Sequence, residues 1–220
     1  MTATNLLTPL LHSVRLPELA EALQQTLAEE QVRREHFHAT MDDSMKAEFI
    51  NGEVVMHSPA RYRHLQTLKY LFLIFHSYVD HNQLGVVTTE KTLIRLPRNS
   101  YEPDLCYFRQ ELAEHFTPEQ LLFPAPDLVV EVLSSSTEDK DRGIKMEDYA
   151  AHGVKEYWIV DPERETIEQY LVGPNGEFVL ARKMDSGELP CSVLPNLRFP
   201  VRAAFDRAAN RECMKGLWQG

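Results

Sequence analysis

The chain has 220 residues, and 23 basic against 33 acidic side chains give a formal net charge of −10. Apolar types make up 43% and charged types 25%, enough for a sizeable core and against global disorder. The acidic balance argues against a wholesale polyanion binder, but not against an enzyme that handles nucleic acid through a local patch. No run of eighteen apolar residues suggests a membrane span. The leucine-rich N-terminus MTATNLLTPLLHSVRLP has no cationic region before it, so no secretory signal is expected. Cys106, Cys191 and Cys213 make neither a disulfide framework nor a zinc pair, and read as reduced thiols of a cytoplasmic protein.

In chain order, residues 17–35 predict a helix, with Pro17 in its first turn and Leu19, Leu23 and Leu27 at helical spacing. Its charges lie off that stripe and read as a solvated face. His36 and His38 would share a face if they stood on one strand, but no further ligands complete a metal set. Asn51-Gly52 within AEFINGEVVMHSP predicts a hairpin. Residues 63–81 predict an amphipathic helix with Leu65, Leu68, Phe72, Phe75 and Val79 inward. Strands follow at 85–97 and 103–108, and Thr117-Pro118-Glu119 suits a short helix start. The apolar run 126–134 reads as a strand covered on both faces. Ser134–Thr137 then supply capping residues for a helix reaching about Ala151, with Gly153 as its C-terminal cap. EYWIVDP (156–162) is a strand, TIEQYLV and FVLARKM form a hairpin, and a short helix is expected around 202–213. The pattern implies an α/β fold with a mixed sheet, whose central strand is 127–133. A crossover should link that strand to 156–160.

Glu131 does not fit such a strand. It sits between Leu128-Val129-Val130 and Val132-Leu133, where a carboxylate costs several kcal/mol unless paired or bound to a cation. The alternatives are an edge position or a structural ion pair. Asp104 opens a strand in Glu102-Pro103-Asp104-Leu105 and is a second acid. Asp127 shares parity with Glu131 but lies about 13 Å away at strand rise, too far to chelate the same ion. Asp104 could do so if its strand lies beside 127–133. Lys145 falls about two turns into the following helix, with Arg142 as a competing cation. Glu48, just before the hairpin, is either a further site acid or an exposed charge. Two carboxylates and a lysine around Mg²⁺ suit phosphodiester hydrolysis, because the hard cation takes oxygen ligands and activates water.

Several stretches together resemble the PD-(D/E)XK nuclease superfamily, and within it the Uma-two family of restriction-endonuclease-like proteins. They are Glu48-Phe-Ile-Asn-Gly-Glu53-Val-Val-Met-His-Ser-Pro59, His64, Pro103-Asp104, Pro126-Asp127-Leu-Val-Val-Glu131-Val-Leu-Ser134, Asp141-Arg-Gly-Ile-Lys145 with Tyr149, and Gly153–Pro162. The likeness covers about residues 45–172. It implies a restriction-endonuclease-like mixed central sheet flanked by helices, with an N-terminal helix and added β-hairpins. Residues 1–44 would be a helical extension, 45–200 the nuclease-like domain and 201–220 a tail.

The resemblance also implies that Asp104 and Glu131 hold Mg²⁺ (Mn²⁺ as a substitute), with Glu48 and the Val132 carbonyl as further ligands. Residue 133 is Leu where the superfamily pattern has lysine, so the lysine would be supplied from the next helix by Lys145, which positions the hydrolytic water. His64 would support the site or touch phosphate. The implied activity is a metal-dependent endonuclease acting on DNA, in a homodimer and away from membranes. A catalytically silent module on the same fold, binding nucleic acid or a protein, is the alternative, and a hydrolase of another phosphate ester a weaker third. Lys91, Arg95, Arg98, Lys140 and Arg142 could form the cationic patch that DNA requires.

Overall fold

The computed structural model describes residues 3–42 and 45–217. Two helices lead the chain, α1 (Ala3–Leu11) and α2 (Leu16–Thr40). α2 runs further than its leucine pattern predicts, and it takes in His36 and His38. Two residues apart on a helix point about 200° apart, so these histidines share no face; His38 Nε2 instead meets Ser100 Oγ at 2.9 Å. The leucine stripe is also not where helical patterning would bury it. Leu19, Leu23 and Leu27 are exposed, while Glu30, Arg34 and Phe37 are buried.

The hairpin β1 (Ala47–Ile50) and β2 (Glu53–Met56) turns at Asn51 and Gly52, with φ of 49° and 86°. Two consecutive positive φ values are what a tight right-twisted hairpin demands. A Cβ on Gly52 would meet Glu30 Cγ at 2.9 Å, so glycine also lets α2 lie directly on the turn. α3 (Tyr62–His81) follows and buries Leu68, Leu71, Ile74, Phe75 and Val79.

The predicted strand 85–97 divides into β3 (Gly85–Thr89) and β4 (Leu93–Arg95), because Glu90 and Lys91 adopt positive φ and send the two halves to different sheets. β5 (Ser100–Tyr101), β6 (Leu105–Arg109), α4 (Gln110–Ala113), β7 (Leu122–Phe123) and β8 (Leu128–Val132) come next. The short helix is α4; residues 117–119 form no helix. The single helix expected up to Ala151 is two, α5 (Glu138–Arg142) and α6 (Ile144–Ala151), broken at Gly143 with φ −112° and ψ −107°. β9 (Glu156–Asp161), β10 (Thr166–Val172), β11 (Phe178–Met184), β12 (Glu188–Pro190), β13 (Arg198–Pro200), a 3₁₀ turn at Val201–Ala204 and α7 (Arg207–Leu217) complete the chain.

A six-stranded mixed sheet runs β11-β10-β9-β8-β6-β3, and a five-stranded sheet runs β2-β1-β5-β4-β7. β8 and β9 are parallel, joined through α5 and α6, while β6 lies antiparallel on the other side of β8. Side chains of β8 alternate between two cores. Leu128, Val130 and Val132 face α3 and the C-terminal elements, whereas Val129 and Leu133 face α6 with Tyr149 and Tyr157. Strand parity puts Glu131 on the α6 side.

Candidate active site

Glu48, Asp104, Glu131 and Lys145 reach one cleft of about 530 Å³, although they come from β1, the start of β6, β8 and α6. β6 pairs with β8 at Leu105–Val130, so Asp104, one residue before β6, sits across from Glu131. All four side chains are buried. The edge-strand reading of Glu131 and the exposed-hairpin reading of Glu48 are therefore both overturned. Asp127 is the structural residue its spacing suggested: Lys155 and Arg109 grip its carboxylate at 2.7 and 2.8 Å.

Lys145 is the hub. Its Nζ lies 2.9 Å from Glu48, 3.1 Å from Glu131 and 3.2 Å from Asp141, and 5.9 Å from the centre of the Tyr101 ring. Burial alone would favour a neutral amine, but the three carboxylates outweigh it and hold the ammonium's pKa well above its usual value. For Glu48, burial pushes the pKa up, yet Lys145 and His57 bring it down to about 2. Glu131 goes the other way: burial, with Asp141, Asp104 and Glu48 nearby, raises its pKa well above normal despite Lys145.

Asp104 is oriented from two sides. The Val132 N–H donates to Oδ2 at 2.8 Å, and His64 Nε2 lies 3.3 Å from Oδ1. Burial opposes its charge, but these partners keep its pKa below the usual range. The pair raises His64 in return, against its own burial. His64 thus supports Asp104 from the first turn of α3.

Three site residues were not singled out by the sequence. Asp141 stands in the sequence only as part of a motif; its i,i+4 spacing to Lys145 is the available signal. Glu102 and His57 had none. Glu102 donates its N–H to Glu48 Oε1 at 3.0 Å, and its own Oε2 is buried with no hydrogen-bond partner. Burial, helped by Glu48, pushes its pKa up to about 7, against His57 and Lys46. His57 Nε2 lies 3.4 Å from Glu48 Oε2.

The cationic rim differs from the expected patch. Arg98 is committed to Glu30 on α2 and Arg142 to Glu138 and Glu168. Of the expected patch Lys140 does line the cleft, where it is joined by Lys46, Arg61, Arg63 and Arg164. Arg61 and Arg63 share the exposed Glu163, a pairing of low energetic weight that an incoming anion can displace.

As to fit for a cation, the chemistry of the donor set is favourable. Five buried carboxylates (Glu48, Glu102, Asp104, Glu131, Asp141) line the cleft with one buried ammonium, Lys145, and two of their oxygens, Glu102 Oε2 and Asp141 Oδ1, have no hydrogen-bond partner. A hard divalent cation is the group such oxygens accommodate. Among the described residues no three His, Cys, Asp or Glu side chains are already arranged to enclose an ion. The donors match in type but have to adjust in position.

The family described as "Uma2: Putative restriction endonuclease" matches residues 29–202. The chain belongs to this family. A solved structure from Anabaena variabilis ATCC 29413, titled a "putative nuclease belonging to DUF820", has the same fold. Its TM-score is 0.65 at 18% identity, covering 77% of this chain and 94% of that one. No curated protein matches. Membership brings with it the class of nucleases, and the Uma2 match takes in all of Glu48, Asp104, Glu131 and Lys145. No helix among the described residues is long and apolar enough to cross a membrane. All three cysteines are free thiols.

Proposed function

We propose that the cleft is the active centre of a divalent-cation-dependent endonuclease that hydrolyses DNA phosphodiester bonds, with Mg²⁺ as the natural ion and Mn²⁺ as a substitute. The observation that carries this reading is the excess of buried acids over the single ammonium of Lys145, in a cleft rimmed by arginine and lysine. Buried carboxylates pushed up in pKa, here Glu131, Glu102 and Asp141, cluster at functional clefts.

Asp104 and Glu131 are the two ion ligands in this scheme, with Glu48 as the third. The chemistry such an ion supplies is charge neutralisation at the scissile phosphate and acidification of water. Asp104 arrives pre-oriented by Val132 N–H and His64, which spares reorganisation on binding. Lys145 keeps its proton and so acts as a hydrogen-bond donor and fixed positive charge, able to orient a water or a phosphate oxygen. Release from one of its three carboxylates frees a donor N–H for that purpose. Lys46, Arg61, Arg63 and Lys140 offer contacts to flanking phosphates.

The competing reading is a catalytically silent module on the nuclease fold. Two observations favour it: Lys145 is fully engaged by carboxylates, and no three ligands converge among the described residues. Plasmid cleavage separates the two. The enzyme reading expects nicking only with Mg²⁺ or Mn²⁺, abolished by Glu131→Ala. Cleavage undiminished in that variant, or no cleavage with either ion, rejects it.

A further inference from the structure

The face of α2 that seals onto the body continues past the point where the body ends. Glu30, Arg34 and Phe37 are buried: Arg34 donates to the carbonyls of Leu96 and Pro97, and Phe37 packs beside Phe49. Leu16, Leu19, Ala20, Leu23 and Leu27 prolong the same face, within about 100° of helical arc. Yet residues 17–29 are exposed without exception. Leu23 and Leu27 are 54% and 52% exposed, and Leu7, Leu10 and Leu11 on α1 are open as well. At about 1.5 Å per residue, 16–29 form an arm of about 21 Å. A bare helix of this length is marginal in water, and its stability comes from covering the apolar face.

We propose that this arm is a homodimer interface, the leucine stripe of one copy packing antiparallel against the same stripe of a second copy. Two features select that occupant. The first is charge. The stripe is bordered by the uncharged Ala22 and Thr26 on one side and Gln24 and Gln31 on the other, while Glu18, Glu21 and Glu29 stand on the opposite face of the helix. Two copies therefore meet with no like charges beside the seam, even though the arm as a whole is acidic. A basic partner would be drawn to the outer face instead.

The second is geometry. From Glu30 onward the body itself occupies the stripe's face, so a parallel partner would need its own body in the same space. An antiparallel partner brings only the start of its arm to that point, and the contact closes on itself about a twofold axis. The stripe precedes residue 29, where the family match begins, and the proposal stands independently of the cleft's chemistry.

Sedimentation velocity on the full chain over a concentration series tests it. The wild type should sediment as a dimer, and Leu23→Glu with Leu27→Glu as a monomer that still unfolds in one cooperative transition, since both side chains are exposed in the single copy and only the stabilisation from association is lost. A wild type that stays monomeric, or a double variant that stays dimeric, overturns the interface. Orientation is read separately by oxidation: Leu23→Cys, near the midpoint of residues 16–29, should cross-link to itself, and Leu16→Cys should not. Equal cross-linking of both overturns the antiparallel arrangement.

Discussion

Glu156 and Glu131 are both carboxylates inside the six-stranded sheet, on the neighbouring strands β9 and β8, and the molecule treats them in opposite ways. Glu156 is saturated with donors: Trp158 Nε1 at 2.7 Å, Ser192 N at 2.8 Å, Val193 N at 2.9 Å and the Gln169 amide. It ties the 190–193 turn to the sheet. Glu131 has one donor, Lys145, which it shares with Glu48 and Asp141. A buried acid surrounded by neutral donors is a fixture of the fold. One surrounded by other acids is costly in the folded state, and that cost is what a bound cation would relieve.

The contrast can be broken most forcefully by removing each acid in turn. Glu156→Ala strands four donors, of which Trp158 and Gln169 are buried, and should cost about 3–5 kcal/mol in urea unfolding. Glu131→Gln leaves Lys145 paired with Glu48 and Asp141, and should stay within about 1 kcal/mol of wild type while lowering cleavage at least about 10³-fold. Equal destabilisation by the two would erase the distinction.

Lys145→Met sharpens the same point. It leaves Glu48, Glu131 and Asp141 facing one another and should cost about 2–4 kcal/mol in the presence of chelator. Because a ligand of the folded state stabilises it, excess Mg²⁺ should raise this variant's melting temperature by more than the wild type's. An equal response to Mg²⁺ would mean that the acids do not form a cation site.

The smallest effect concerns Glu168, a conventional paired acid. Arg142, Tyr170 and Lys183 overcome burial and hold its pKa at about 2, against 4.5 for the free side chain. The stabilisation is complete above pH 4.5 and is lost as pH falls towards 2. With solvent screening it amounts to about 1 kcal/mol. Glu168→Gln should therefore be less stable than wild type at pH 7 by that amount, with the difference vanishing near pH 2 in urea titrations.

Much of the fold was legible in local pattern. The Asn51-Gly52 turn, the α3 stripe, the β10–β11 hairpin and the apolar run of β8 each carry their own period or turn chemistry. What stayed hidden depends on long-range partners. The β3–β4 break rests on positive φ at Glu90 and Lys91, which no composition rule marks. The exposure of Leu19, Leu23 and Leu27 shows that an apolar stripe specifies a face and not its partner. In the site, Glu131 stood out because a charge interrupted an apolar strand. Glu102 and His57 did not, because Glu-Pro-Asp and Met-His-Ser read as ordinary turn sequence until β1 brings Glu48 between them.

The central claim is that the acid excess around Lys145 is a cation site. Calorimetric titration of Mn²⁺ into the wild type and into Glu131→Gln at neutral pH tests it most directly. The account predicts a binding isotherm for the wild type and at least about tenfold weaker binding for the variant, since ligand charge sets affinity at such sites. Identical isotherms, or no binding by the wild type, would contradict it.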